Sequence, residues 1–265
     1  MFHASAVQAY DDSMKKLLRI TALLSIASCL HAELSAPWPM PVPLPSVPAG
    51  VNSAACPLPR LDWLANVKSN NDKAAKLSDK IQLVFDGDSI TDLWRESGWE
   101  LWQVHYSNLG AFDFGICGDR TENVLWRLSQ GQMNGIKPKL ILLMIGTNNL
   151  NTNSNEQIAE GIKAIIDEYR KLCPQSVILL QGIFPRGHEA TDPNRERIKE
   201  INKIIATYAD GKNVRFLDFG DKFLEPDGTM SPEIMPDFLH PSAKGYQIWV
   251  TAVQPVIDQC FPPAK

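Results

Sequence analysis

An α/β fold, a parallel sheet covered by helices on both faces, is predicted by three features of this 265-residue sequence. Short apolar runs of strand length alternate with amphipathic helical patterns from Ile81 onward; small and polar residues follow each run; and no internal repeat breaks the alternation. Parallel neighbours need a crossover, which a helix supplies with right-handed connectivity, so this alternation specifies the architecture. With 44% hydrophobic and 21% charged residues, the composition is that of a globular protein, and the length suits one large domain.

Taken in order, residues 60–79 predict a leading helix with Leu61, Leu64 and Val67 on one face. The strand-sized runs are Ile81 to Phe85, Ala111 to Phe114, Leu140 to Ile145, Val177 to Leu180 and Val214 to Leu217. A helix beginning after Asp119 carries Val124, Leu125 and Leu128. Another places Ile158, Ile162, Ile165 and Tyr169 on one face behind a Ser154-x-x-Gln157 capping box. Ile198, Ile201, Ile205 and Tyr208 recur behind Asp192-Pro193, and a last helix runs from about Ala243 past Trp249. Trp94, Trp99 and Trp102 read as core packing against the sheet in preference to the walls of an acyl or sugar site.

The amino terminus reads as an address. Met14-Lys15-Lys16 precedes a mostly apolar run from Leu17 to Leu30, too short to cross a bilayer comfortably and ending at a small-residue cleavage point, Ala32. Asp11 and Asp12 do not suit a signal's positive end, so translation from Met14 fits better than from Met1. Ile26-Ala27-Ser28-Cys29 resembles a bacterial lipobox, which would anchor the exported chain through a lipidated Cys29; the alternative is a soluble protein's signal with a chance cysteine. Residues 1–32 are thus an export signal, 33–58 a Pro-rich extended arm, and 59–265 the folded body. Between Pro37 and Pro48 six prolines in twelve residues impose polyproline II, either a stiff tether of about 37 Å or a belt packing Trp38 and Leu44 onto the body.

The formal charge of −4 gives no basic field for nucleic-acid phosphates. The cysteines, Cys29, Cys56, Cys117, Cys173 and Cys260, lack a C-x-x-C pair or a histidine at metal-ligand spacing, so no metal site is expected. In an oxidising compartment, a Cys56–Cys260 disulfide would join the ends of the body, while Cys117 and Cys173 sit in segments that look buried.

Ligands of open parallel sheets bind beyond the carboxyl ends of the strands. There the sequence offers Asp86-Gly87-Asp88-Ser89-Ile90-Thr91, Gly115-Ile116-Cys117-Gly118-Asp119 and Gly146-Thr147-Asn148-Asn149. A serine at that rim needs a base, usually a histidine oriented by a carboxylate. Of His105, His188 and His240, only His240 has an acid three residues before it, Asp237, and the following Pro241 holds it on a loop. His188, in a polar loop, reads as a solvated side chain. The Ser89 and Gly118 backbone N–H groups and the Asn148 amide are candidate donors to an oxyanion. Asp88 and Asp119 read as braces of their loops.

These blocks, with Asp237-Phe238-Leu239-His240, resemble those of the GDSL or SGNH hydrolases. The likeness is nearest to the catalytic alpha subunits of platelet-activating-factor acetylhydrolase and their bacterial relatives. It extends to Val124-Leu125-Trp126-Arg127-Leu128 and Pro185-Arg186-Gly187 and covers about Ile81 to Tyr246. The resemblance implies a flavodoxin-like three-layer α/β/α sandwich on a five-stranded parallel sheet. It also implies a Ser89, His240, Asp237 triad, an oxyanion hole of Ser89, Gly118 and Asn148, and no cofactor or metal. Cys117 stands where relatives usually have glycine, which bears on the width of the pocket beside that hole. The expected activity is that of an exported serine esterase removing short acyl groups, acetyl first, from sugar or polysaccharide. A lysophospholipase or other lipid acylhydrolase is the second expectation, and a non-catalytic envelope binding module on the same fold the third. The oligomeric state is left open.

Overall fold

The computed structural model describes residues 46–262. The segment read as an export signal, Cys29, Trp38, Leu44 and most of the Pro-rich arm lie outside the described residues. Five strands form one all-parallel sheet: β1 Leu83–Gly87, β2 Ala111–Asp113, β3 Leu140–Met144, β4 Val177–Gln181 and β5 Val214–Leu217, in the order β2-β1-β3-β4-β5. The order reverses between β1 and β3, so the loops after β1, β2 and β3 flank one switch point. Every residue of β1 and β3 is buried, as expected of central strands covered on both faces.

The helices are α1 Leu64–Lys76, α2 Ser89–Asp92, α3 Trp99–His105, α4 Thr121–Ser129, α5 Asn155–Leu172, α6 Pro193–Ala206 and α7 Ala243–Cys260. Capping sets several of their starts. Ser154 accepts from the Gln157 N–H while the Gln157 side chain accepts from the Ser154 N–H, a reciprocal box worth about 1 kcal/mol. Asp192 caps α6 ahead of Pro193. The predicted stripe of α5, Ile158, Ile162, Ile165 and Tyr169, is buried, and so is that of α6 through Ile205; α6 ends at Ala206, before Tyr208.

Several sequence expectations shift. Strand β1 continues through Asp86 and Gly87, which pair in register with Leu143 and Met144. A side chain at Gly87 would meet the Met144 carbonyl oxygen at 2.3 Å, so only glycine fits there. The leading segment is a 3-10 turn, Leu61–Trp63, running into α1; Leu61 is exposed, and Trp63, Val67 and Ala74 take the buried positions. Helices α2 and α3 were not expected. Trp94 and Trp102 pack into an aromatic cluster with Phe85, Tyr106, Tyr246 and Trp249, as predicted, but Trp99 at the start of α3 is 48% exposed and belongs to no core. Cys56 and Cys260 are free thiols, so the disulfide expected between them does not form. No described helix is long and apolar enough to cross a membrane.

Candidate active site

The turn after β1 delivers Ser89. Asp88 caps α2, its carboxylate accepting from the Ile90 N–H at 3.0 Å, and Ser89 is the first helical residue. Tyr246 of α7 donates to the Ile90 carbonyl at 2.7 Å and ties this turn to the far end of the chain. The loop before α7 brings His240 opposite. His240 Nε2 lies 2.8 Å from Ser89 Oγ, and His240 Nδ1 lies 2.6 Å from an Asp237 carboxylate oxygen. The other Asp237 oxygen accepts from the His240 and Leu239 N–H groups at 2.8 and 3.1 Å, so a single carboxylate shapes the loop and orients the ring. Burial opposes ionisation of Asp237, but the His240 hydrogen bonds outweigh it and hold the pKa below the ordinary value. With an ionised partner at Nδ1, the ring proton belongs there, and Nε2 is left to accept from the serine hydroxyl.

Phe238, between those two residues, has φ 61°, a left-handed conformation strained for an aromatic residue. Its carbonyl accepts from the Gly187 N–H at 2.9 Å, and its ring lies 4.8 Å from that of His188. His188 itself is half exposed and paired with Glu189, apart from the Ser89–His240–Asp237 chain. His105 lies at the end of α3 beside Tyr106.

Gly118 and Asn148 arrive from the loops after β2 and β3. Gly118 is exposed and has φ +76°, and its N–H has no acceptor among the described residues. The Asn148 amide donates one proton to the Asp119 carbonyl at 2.9 Å, which leaves its second proton uncommitted. Asn149 accepts from the Thr121 N–H at 3.1 Å and donates to Glu122 at 2.8 Å, joining the same loop to the start of α4. Arg186 donates to the Thr147 carbonyl and hydroxyl at 3.4 and 3.3 Å.

Beneath the site lies a buried ionic network whose centre the sequence reading missed. Arg127, 2% exposed, donates to Asp119 of the glycine loop and to Asp86 of β1, each at 2.8 Å. Gln132 donates to Asp86 at 2.7 Å and accepts from Arg127, and the Tyr169 hydroxyl donates to Asp86. Burial pushes the Asp119 carboxyl up to about 7 against the pull of Arg127 and Arg60. The signal for this network was Arg127 itself, a cation inside the apolar run Val124 to Leu128. Asp88 thus braces its turn as a helix cap, as the sequence suggested, whereas the Asp119 carboxylate is held by Arg127 and Arg60 in place of the expected backbone N–H groups.

Asp88 carries a second consequence. It is fully buried, one carboxylate oxygen has no partner, and burial pushes its pKa up to about 6 against the Ile90 N–H and the charges of His240 and Arg186. A native acid with a raised pKa favours folding below its unfolded pKa, and that contribution is lost as pH rises through the native value. Asp88→Asn keeps the capping oxygen and removes the charge. Its Tm is expected to exceed the parent's above pH 6, by a stability gain of up to about 3 kcal/mol, and to converge with it near pH 4. Parallel Tm profiles of the two proteins between these pH values would contradict this account.

Among the described residues, no group of three or more His, Cys, Asp and Glu side chains is placed to hold a metal ion. The arrangement instead joins a serine hydroxyl, an oriented imidazole and a carboxylate beside uncommitted N–H donors, which is the equipment of acyl transfer.

Known proteins resemble this chain in sequence and in fold. Residues 85–248 match the model of the GDSL-like Lipase/Acylhydrolase family. Platelet-activating factor acetylhydrolase IB subunit alpha1 of Rattus norvegicus is 40% identical over 166 residues, 62% of this chain and 70% of the relative, and the alpha2 subunit of Homo sapiens is 39% identical over 165. Among solved structures, a putative acylhydrolase from Bacteroides fragilis superposes with a TM-score of 0.62 at 20% identity, covering 76% of this chain and 99% of that one. A catalytic mutant of an acetylxylan esterase from Geobacillus stearothermophilus gives 0.52 at 21% identity, covering 65% and 92%. These structural likenesses speak for the fold, and the family match with the sequence relatives for the lineage: the chain belongs to the GDSL-like lipase/acylhydrolase family.

Proposed function

We propose that this chain is an exported serine esterase that removes a short acyl group, acetyl first, from a carbohydrate oxygen. The observation that carries the reading is the continuous hydrogen-bonded chain from Ser89 Oγ through His240 to Asp237. In the cycle, Ser89 Oγ attacks the ester carbonyl as its proton passes to His240 Nε2, while Asp237 holds the tautomer and stabilises the imidazolium. His240 then protonates the departing alkoxide, leaving an acyl-enzyme on Ser89. Water attacks that ester with its proton going to His240, and the acid departs as Ser89 regains its proton. The Ser89 N–H, Gly118 N–H and second Asn148 amide proton receive the oxyanion of both tetrahedral intermediates. Each such donor is worth on the order of 3 kcal/mol of barrier.

Asn148→Ala is accordingly expected to lower kcat by about a hundredfold with little change in KM, measured on a p-nitrophenyl ester. Unchanged turnover would remove Asn148 from the oxyanion hole.

Export rests on Met14-Lys15-Lys16 and the Leu17–Leu30 run, with lipidation at Cys29 as its anchored form. The acetyl preference and sugar alcohol draw support from the acetylxylan esterases among the structural neighbours. Identity near 40% to platelet-activating-factor acetylhydrolase subunits favours a second reading, a lipid acylhydrolase. Hydrolysis of p-nitrophenyl acetate, butyrate and octanoate separates the two. A steep fall from acetate to octanoate supports the short-chain carbohydrate esterase, and a rise toward octanoate supports the lipid enzyme. Negligible rates on all three, in folded protein, would leave a binding module.

A further inference from the structure

Residues 52–60 form a strap across the start of α4. Thr121 Oγ1 donates to the Ala54 carbonyl at 2.7 Å, Leu58 N–H donates to the Glu122 carbonyl at 3.0 Å, and the Asn123 amide donates to the Leu58 carbonyl at 2.9 Å. The strap precedes the residues that match the family model. It ends at Arg60, whose guanidinium stacks on Trp63, donates to the Cys117 carbonyl and lies 3.5 Å from Asp119. So close is it to the glycine that a Cβ at Gly118 would stand 2.6 Å from Arg60 Nη1. Beside this contact opens a cavity of about 470 Å³, whose lining includes Leu58, Pro59 and Arg60 of the strap together with Gly118, Arg120 and Glu122.

The lining chooses among ligands. Arg60 faces Asp62 at 3.1 Å as well as Asp119, and Arg120 faces Glu122 at 3.8 Å, so the charges are matched and favour neither a lone anion nor a cation. The Arg120 guanidinium donates no hydrogen bond among the described residues and is 40% exposed. An alkyl chain entering here would strip water from ions and return nothing. A neutral ring bearing several hydroxyls can both accept from the arginine forks and donate to the carboxylates.

We infer that Arg60 and Arg120 are specificity-determining residues that make the cavity beside Gly118 a subsite for a hydroxyl-rich, uncharged group of the substrate, a sugar unit. The inference rests on the reading of Ser89 as an esterase nucleophile and adds to it the residues that select the alcohol.

The test compares kcat/KM on acetylated xylotetraose with that on p-nitrophenyl acetate, for the parent, Arg60→Met and Arg120→Ala, each checked by thermal melting. The Arg120 guanidinium is 40% exposed and, among the described residues, loses only a 3.8 Å ion pair with Glu122, so its variant keeps the test open should Arg60→Met fail to fold. The sugar-ester to aryl-ester ratio is expected to fall at least tenfold in the variants, through KM. An unchanged ratio, equal losses on both substrates, or a parent active on the aryl ester alone would overturn the inference. Should the parent show no Ser89-dependent hydrolysis at all, the esterase reading fails separately. The subsite is then judged by titration calorimetry with unacetylated xylotetraose, where no binding, or equal binding by parent and Arg120→Ala, overturns it.

Discussion

Ser89→Ala is expected to abolish ester hydrolysis, with a loss in kcat on the order of 10⁴-fold or more, while Tm stays within a degree or two of the parent's. Ser89 is buried, yet among the described residues its hydroxyl hydrogen-bonds only with His240, and its backbone position at the start of α2 is held by Asp88 and Tyr246, which the substitution leaves in place. The imidazole keeps its Asp237 hydrogen bond, so the loop that carries it has no reason to move. Residual turnover would come from the oxyanion donors and from water activated by His240, which together leave a small remainder over the uncatalysed rate. Retention of more than a tenth of the activity in a folded variant would assign the nucleophile elsewhere.

Arg127→Met should produce the largest stability loss in the body, about 3–5 kcal/mol, because it strands two buried carboxylates that the guanidinium now serves at once. The effect has a pH signature. Burial already pushes Asp119 up to about 7, so without Arg127 the cost of its charge grows as pH rises and is relieved once the carboxyl takes a proton. The Tm deficit against the parent is expected to be wide at pH 8 and to narrow at pH 5. Since Asp119 also holds the Asn148 amide through its carbonyl, the variant should lose turnover even where it remains folded. A deficit that is small and independent of pH would show that the network contributes packing rather than charge.

Much of this architecture was legible from local patterns. The five strands fall within two residues of the apolar runs, because central parallel strands must be apolar throughout, and the capped helices begin where Ser154 and Asp192 signal. The juxtaposition of Ser89, His240 and Asp237 was legible because the histidine and the carboxylate share one short loop and the serine follows a strand. The parts that escaped are those set by distant contacts. Helix α2 is four residues long and has no room for a period, and Trp99 matches its buried neighbours in composition while facing solvent. Arg60 reaches the Gly118 loop across 57 residues of sequence, and no local spacing marks a strap folded back over a helix start. The Cys56–Cys260 pairing failed for the same reason, since bracketing the body in sequence does not set two thiols within bonding distance in space.

In the proposed cycle Ser89 carries the acyl group during turnover. Acid quenching of the enzyme in the first turnovers of p-nitrophenyl acetate, followed by peptide mass spectrometry, tests it directly. One acetyl group on the peptide containing Ser89, absent from Ser89→Ala and accumulating in step with a burst of p-nitrophenol, is the predicted result. Turnover without any acylated Ser89, or acetyl on another residue at the same level in both proteins, would contradict it.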